Sequence, residues 1–579
     1  MTVDASAGTQ SFEQAAEGLL ALFLALGSEK AFVNPGTDIF PFQEAWASRK
    51  ERGLPSPDPV ICTHEFTAVS AAHGYYLMTG KPQSVFVHVD AGTLNAGGAI
   101  SNAHGDQAGI VFCAGRAPYT CDGQMPGGKD VYIQWGQERL DQAKILQEYV
   151  KWHYELTLVE NLSSTAMRAF QMAANPPAGP VYLTFAREVL MQPAFSVRMP
   201  QPRDLTPAQP AAADPDSIVR AAEILVAAKR PLIVAGRNGR NPASIPEVAG
   251  LAELLGAEIA DTYECASAPG DHPLYVGPRI DEILPLADAV LFIDTKVPYM
   301  PCQERPASTA AVIFLERDPV HENFVNWSYP ADLRIAADSL LGLRALRAAV
   351  ADLQSQEQRL AARTRAEKVM AEQHAWRLMV ELRARSRASA FPIHPEWLMW
   401  NLKQALPRDA IVLEDVVTSR HLARVHMTPD EPQTLFTPGG SCLGWGVNTA
   451  IGCKLGAPER MVVSLMGDGG FTFANPVAAL WTAVKAGAPS LTVIFNNAGY
   501  NAAQMPIAGL YPGGAVARAS DGMVTKIAPP PDYAAVANAC GALGITLTDP
   551  TAVAETLARA VDEVHHGRCV VIDAILAPI

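Results

Sequence analysis

Cysteine is sparse and unpatterned in this sequence: nine residues scattered from Cys62 to Cys569, an odd number, with no C-x-x-C pair. That excludes the paired spacings of structural zinc sites and offers no disulfide framework, so reduced thiols are the expectation. Basic runs are missing as well. With a formal net charge of −14, the chain carries no electrostatic footprint for nucleic acid or an anionic membrane surface. The apolar run Leu19–Leu26 falls far short of the roughly 20 residues that span a bilayer. Glu13 and Glu17, rather than a basic segment, precede it, which argues against a signal peptide. A soluble cytoplasmic protein is expected. What the sequence does have is apolar material, 49% of 579 residues, enough for about three domains.

The most informative stretch is Val462–Gln504. Val462–Met466 reads as a buried parallel strand, Gly467–Gly470 as a Gly-Asp-Gly-Gly turn, Pro476–Lys485 as a helix and Leu491–Phe495 as a second strand. Asn496-Asn497-Ala498-Gly499-Tyr500 follows. This βαβ unit puts oxygen donors at the C-terminal ends of two strands, where open parallel sheets place their ligands. Glycines such as Gly469 and Gly470 let the backbone approach a phosphate and aim amides at it. The Asp468 carboxylate, the Asn497 amide oxygen and one backbone carbonyl are hard ligands of the kind that suits Mg²⁺.

Taken in order, the chain reads as α/β throughout. Residues 1–10 look like a loose tail, and Ser11 is the expected N-cap of a helix to Leu26. Strands at Ala31–Asn34, Val60–Thr63, Ser84–Val89, Ile110–Ala114 and Val181–Phe185 make a first doubly wound domain over 1–195. A proline-rich linker, Met199–Pro215, leads to a second domain over 214–352, with strands Pro231–Gly236, Ala257–Asp261, Ala289–Asp294 and Ala311–Leu315. A charged, helix-favouring segment at 353–390 leads to a third domain, 391–579, with strands Ile411–Glu414, Met461–Met466, Leu491–Phe495 and Cys569–Asp573. The expected fold is three doubly wound parallel-sheet domains, the outer two of matching type.

Gly-Asp-Gly followed after 26 residues by Asn-Asn, with strand, helix and strand between, resembles the thiamine diphosphate (ThDP) signature of the 2-oxo-acid decarboxylase and acetohydroxyacid synthase superfamily. The likeness extends over nearly the whole chain and implies pyrimidine-binding, central and diphosphate-binding domains. It implies that Asp468, Asn497 and the Gly499 carbonyl hold Mg²⁺, and that Gly469, Gly470 and Tyr500 border the cofactor. Glu65, in THEFTAVSAAHGYYLMTGKP, is similar to the superfamily's activating glutamate, which hydrogen-bonds the aminopyrimidine ring. HVDAGTLNAGGAISNAHGDQ is similar to a substrate-side loop of benzoylformate decarboxylase, which implies that His88 transfers protons. VNPGTDIFPF resembles the decarboxylase loop that carries a substrate-carboxylate-binding hydroxyl, which implies that role for Thr37. SCLGWGVNTAIG is similar to the loop that wedges an apolar residue under the cofactor, with Leu443 at the matching position, and in LEDVVTSRH the hydroxyls of Thr418 and Ser419 are candidates for the diphosphate. His64, His73 and His104 have no such match and read as structural. Asn448 stands where the superfamily usually has proline, and Val417 where glycine is common, which blurs the substrate pocket.

The resemblance implies a ThDP- and Mg²⁺-dependent enzyme acting on a carbon–carbon bond next to a carbonyl, foremost a decarboxylase or carboligase of acetolactate-synthase-like organisation. An acyloin, diketone or 2-hydroxyacyl-CoA lyase is the alternative within the class. A non-catalytic ThDP-binding regulatory subunit is the alternative outside it. The expected partners are a small 2-oxo acid or acyloin and a second copy of the chain, as a dimer or dimer of dimers, with Glu65 of one subunit facing the cofactor of another. No G-x-G-x-x-G fingerprint is present in the central domain, and FAD there stays open, because the resemblance spans acetohydroxyacid synthases, which bind FAD in this domain, and decarboxylases, which usually leave it empty or bind another nucleotide.

Overall fold

Three parallel sheets account for the architecture of the computed structural model, which describes residues 8–519 and 522–577. The first sheet has the order Asp58–Ile61, Lys30–Val33, Gln83–Val87, Ile110–Arg116, Pro180–Ala186, Trp152–Leu156. The third has the order Leu435–Phe436, Ile411–Asp415, Val462–Gly467, Leu491–Asn496, Val570–Ile575, Leu543–Leu547. Ranked along the chain, both orders are the same. The matching type expected of the two outer domains is therefore a shared topology. The central sheet is five-stranded, Glu258–Asp261, Pro231–Ala235, Ala289–Ile293, Ala311–Glu316, Leu333–Ala336, and also parallel.

The inner strands Val462–Gly467 and Leu491–Asn496 are almost wholly buried, as strands covered by helices on both faces must be. Local expectations fail in three places. Thr9–Phe12 is a strand that pairs antiparallel with Ala194–Arg198, so residues 8–10 are not a tail (residues 1–7 lie outside those described). Ser11 consequently sits in that strand, and the helix Ala15–Ala25 starts after Gln14. The Gly467–Gly470 turn is instead the end of a strand and the first turn of a short helix, Asp468–Phe473. The charged segment does fold as one long helix, Gln356–Arg385, opened by a Ser355–Gln358 capping box.

The outer domains meet through helix Glu65–Thr79 and helix Trp445–Gly456. A Cβ on Gly74 would lie 2.1 Å from the Thr449 carbonyl oxygen, and one on Gly452 1.7 Å from that of Ala71. Only glycine permits that approach. An apolar cluster including Phe66, Tyr75, Ile451 and Phe471 runs across the junction, and Thr67 Oγ1 donates to Asn448 Oδ1 at 2.7 Å. Asn448 is fully buried and its amide also donates to the Gly444 and Ala474 carbonyls. Its departure from proline thus serves domain packing rather than a pocket wall. His73 lies in the same junction, bonded by Trp445 Nε1 at 3.1 Å and 3.0 Å from Asp106. Among the described residues, no helix is long and apolar enough to cross a membrane.

Candidate active site

Two groups of polar side chains sit where strands end. In the first sheet, helix Glu65–Thr79 begins at Glu65, capped by His64, whose Nδ1 accepts from Phe66 N at 3.1 Å. Glu65 is 8% exposed, and its Oε2 accepts from Asn95 Nδ2 at 3.1 Å. Gly92 backs the other oxygen, since a Cβ there would stand 3.2 Å from Oε1. Two strands over, beyond Lys30–Val33, His88 follows Gln83–Val87 and is the N-cap residue of helix Val89–Gly105. Its Nδ1 is hydrogen-bonded to Asp38 Oδ1, and its Nε2 lies 2.9 Å from Gln137 Nε2. The Asp38 bond holds the imidazole pKa above the ordinary histidine value; burial opposes this, while the Asp38, Asp90 and Glu65 charges reinforce it. Thr37 is exposed on the turn that also carries Asp38. The structure thus brings Glu65, His88 and Thr37 to one sheet edge.

At the third sheet, Asp468 is 2% exposed. Its Oδ1 accepts from Gly469 N at 2.8 Å and its Oδ2 from Gly499 N at 2.9 Å. Burial pushes this carboxyl up, against those two amides. Asn496 ties down the turn, donating to Asp573 at 2.9 Å and accepting from Ala498 N at 3.1 Å. Asn497 is different: its Oδ1 is buried and has no hydrogen-bond partner among the described residues. A buried orphan oxygen costs about 1–3 kcal/mol, and one within two residues of the Asp468–Gly499 bond fits a cation ligand. No neighbour lies within 4 Å of a Cβ built on Gly467, so the backbone there borders open space, while a Cβ on Gly469 would strike the Tyr500 ring at 2.4 Å. Gly470 has no contact nearer than 3.7 Å. Among the described residues, no group of three or more His, Cys, Asp or Glu side chains could hold a metal. A cation here would rely on one carboxylate, one amide oxygen and backbone carbonyls, a hard set suited to Mg²⁺.

Leu443 is half-buried and belongs to none of the apolar core clusters. Its loop is fixed from three directions. Asn102 of the first domain donates to the Cys442 carbonyl at 2.8 Å and accepts from its amide at 3.1 Å. Lys296 of the central domain bonds the Gly439 carbonyl. Asp415 Oδ2 accepts from Gly444 N at 3.0 Å and Gly446 N at 3.2 Å. Burial pushes the Asp415 carboxyl up to about 7, and its Oδ1 is without a partner among the described residues. Ser419 is buried at the start of helix Arg420–His426, Thr418 is half-buried, and Tyr500 is 42% exposed.

Sequence reasoning missed Asp38, Asn95, Asn102, Gln137 and Asp415. Asn95 and Asn102, seven apart on one helix, share a face, a spacing that was available. Asp38 follows Thr37 directly, but its partner is 50 residues away, and no local signal joins them.

A buried acid at one sheet edge and an oxygen-lined strand end at another, with glycines bordering open backbone, define a cofactor-dependent α/β enzyme. Comparison with known proteins gives the kind. Models of the thiamine pyrophosphate enzymes match three times: the N-terminal TPP-binding domain over 13–145, the central domain over 218–346 and the C-terminal TPP-binding domain over 415–574. The sequence is 25% identical over 548 residues to the sulfoacetaldehyde acetyltransferase of Rhodobacter capsulatus, covering 89% of this chain and 87% of that protein. It is 25% identical over 485 residues to the benzoylformate decarboxylase of Pseudomonas aeruginosa, covering 82% and 84%. The crystal structure of benzoylformate decarboxylase from Polynucleobacter necessarius superposes with a TM-score of 0.77 at 21% identity, covering 98% of this chain and 99% of that one; at that identity the likeness concerns the fold. The chain belongs to the ThDP-dependent enzymes of the 2-oxo-acid decarboxylase and acetohydroxyacid synthase superfamily. It is an enzyme of the carbon–carbon lyase or transferase kind.

Proposed function

We propose that the protein is a Mg²⁺-dependent 2-oxo-acid decarboxylase or carboligase. The observation that carries the metal-dependent reading is the buried, unpartnered Asn497 Oδ1 close to the Asp468–Gly499 bond. Asp468, Asn497 and the Gly499 carbonyl would hold the cation, which in turn fixes the diphosphate among Gly469, Gly470, Thr418, Ser419 and Tyr500. ThDP, when bound, supplies an electron sink for the carbon next to a carbonyl. Glu65 would hold the aminopyrimidine end, and its burial keeps water from competing for that hydrogen bond. Leu443 would support the cofactor from beneath, a matter of positioning. His88 would move a proton at Nε2, and Thr37 would bind the substrate carboxylate through its hydroxyl.

The choice of a 2-oxo acid draws on the similarity to benzoylformate decarboxylase and on His88 at its strand end. A second copy of the chain is part of the proposal. Helix Pro476–Lys485 exposes Val477, Trp481 and Val484, with Phe473 just before it, and the first domain exposes Leu94 beside Asn95. Such apolar stripes next to both groups of polar residues suit a subunit interface. The domain limits proposed are 1–195, 214–352 and 391–579, joined by a helical linker at 353–390.

The test is a screen of 2-oxo acids with ThDP and Mg²⁺, reading CO₂ release by wild type and Glu65→Gln. The variant is expected to bind ThDP but to lose more than ~10²-fold in rate, on the scale of a lost acid/base group. Equal rates would remove Glu65 from the mechanism.

A further inference from the structure

We infer that Asp38 is the positioning residue for His88: it takes the Nδ1 hydrogen, fixes the ring, and leaves Nε2, bonded only to the Gln137 amide, as the nitrogen that exchanges protons. The inference rests on the reading of His88 as the proton-transfer group. Asp38 and His88 follow the neighbouring parallel strands Lys30–Val33 and Gln83–Val87, so their side chains meet at one edge although 50 residues apart. Both Asp38 oxygens are engaged. Oδ1 bonds His88 Nδ1, and Oδ2 accepts from Val89 N at 3.1 Å. One carboxylate thereby holds both the ring of His88 and the backbone that follows it.

Three further observations show that this pair is built in. Asp38 is 4% exposed. A Cβ on Gly36 would stand 2.2 Å from His88 Nδ1, and one on Gly115 1.5 Å from Asp38 Oδ2, so two glycines make room for the pair and for nothing larger. Val89 has φ +28°, a conformation a β-branched residue adopts only when its surroundings impose it. The bond from its amide to Asp38 is one such constraint.

The charges facing His88 are those of Asp38, Asp90 and Glu65, and Asp90 is itself paired with Arg139 at 2.6 Å. With Nδ1–H committed to Asp38, the ring has two states that differ only at Nε2. In the neutral ring Nε2 accepts from the Gln137 amide nitrogen. In the imidazolium Nε2–H donates, and Gln137 serves it by turning its carbonyl oxygen inward. Giving up the Nε2 proton to a reacting atom therefore leaves the Asp38 bond intact, and the ring does not have to reorient before solvent returns the proton. The Asp38 bond favours the imidazolium and raises the His88 pKa from the ordinary histidine value.

The test reads His88 directly. C2-hydrogen exchange of the histidines in the full-length protein, followed by mass spectrometry across pH, gives the His88 midpoint without substrate. Asp38→Asn should move that midpoint to lower pH, Asp38→Glu should restore part of the shift, and Gln137→Ala should leave it high. With a 2-oxo acid that wild type turns over, Asp38→Asn should lower kcat about 10-fold or more and move the alkaline limb of kcat/KM in the same direction. A midpoint unchanged in a folded Asp38→Asn protein, or one that falls with Gln137→Ala instead, overturns the inference. If the midpoint moves as expected but His88→Ala retains full activity, the pairing stands and the proton-transfer role of His88 falls, which takes the positioning inference with it.

Discussion

Replacing Asn497 by leucine should change stability with opposite sign according to whether metal and cofactor are present. The buried Asn497 Oδ1 has no partner among the described residues, a burden of about 1–3 kcal/mol that an apolar side chain of similar size removes. Asn497→Leu without ligands should therefore be as stable as wild type or more so. With ThDP and Mg²⁺ at about a hundred times their dissociation constant, wild type gains about 2.7 kcal/mol from binding to the folded state alone. For a domain of this size that raises the melting midpoint by roughly 5–10 °C. The variant should show little of this rise, and chelation of Mg²⁺ should return wild type to its unliganded midpoint. Differential scanning calorimetry at fixed protein concentration, with and without Mg²⁺, ThDP and chelator, is the assay. An unliganded variant that melts well below wild type would mean that Asn497 Oδ1 has a structural partner. A variant that keeps the full rise would mean that the cation binds elsewhere. Either result refutes the reasoning.

Two other substitutions probe the frame around the site. Asn448→Ala strips partners from Thr67 Oγ1 and from the Gly444 and Ala474 carbonyls, all buried at the junction of the outer domains; it should cost about 2–3 kcal/mol in denaturant unfolding. Asp415→Asn keeps an oxygen for the Gly444 and Gly446 amides and removes a carboxyl that burial pushes up to about 7. Because the folded pKa lies above the unfolded one, the acid's contribution is fully present below the unfolded value and is lost as pH rises through about 7. Relative to wild type, the variant should therefore gain stability between about pH 4 and pH 7, the interval between the unfolded and folded values. A pH-independent difference would place the Asp415 pKa elsewhere.

Sequence alone determined the α/β class, the inner strands and the residues placed at strand ends. Val462–Gly467 and Leu491–Asn496 are legible because a strand covered on both faces must be apolar at nearly every position. Asp468 and Asn497 are legible because each directly follows such an apolar strand beside glycine, so their placement is local. Three edge strands of the outer sheets were not legible. Trp152–Leu156 and Leu543–Leu547 are mostly half-buried or exposed, and Leu435–Phe436 is only two residues long, so none carries the apolar run that marks an inner strand. Only the tertiary structure decided which distant groups meet. His88 gains Asp38 because parallel strands bring their C-terminal ends together, and the loop of Leu443 is held by Asn102 at Cys442 and by Lys296 at Gly439 because three domains converge on it. Such partnerships depend on how helices and sheets pack, and a bond between residues 50 to 340 positions apart leaves no periodicity along the chain.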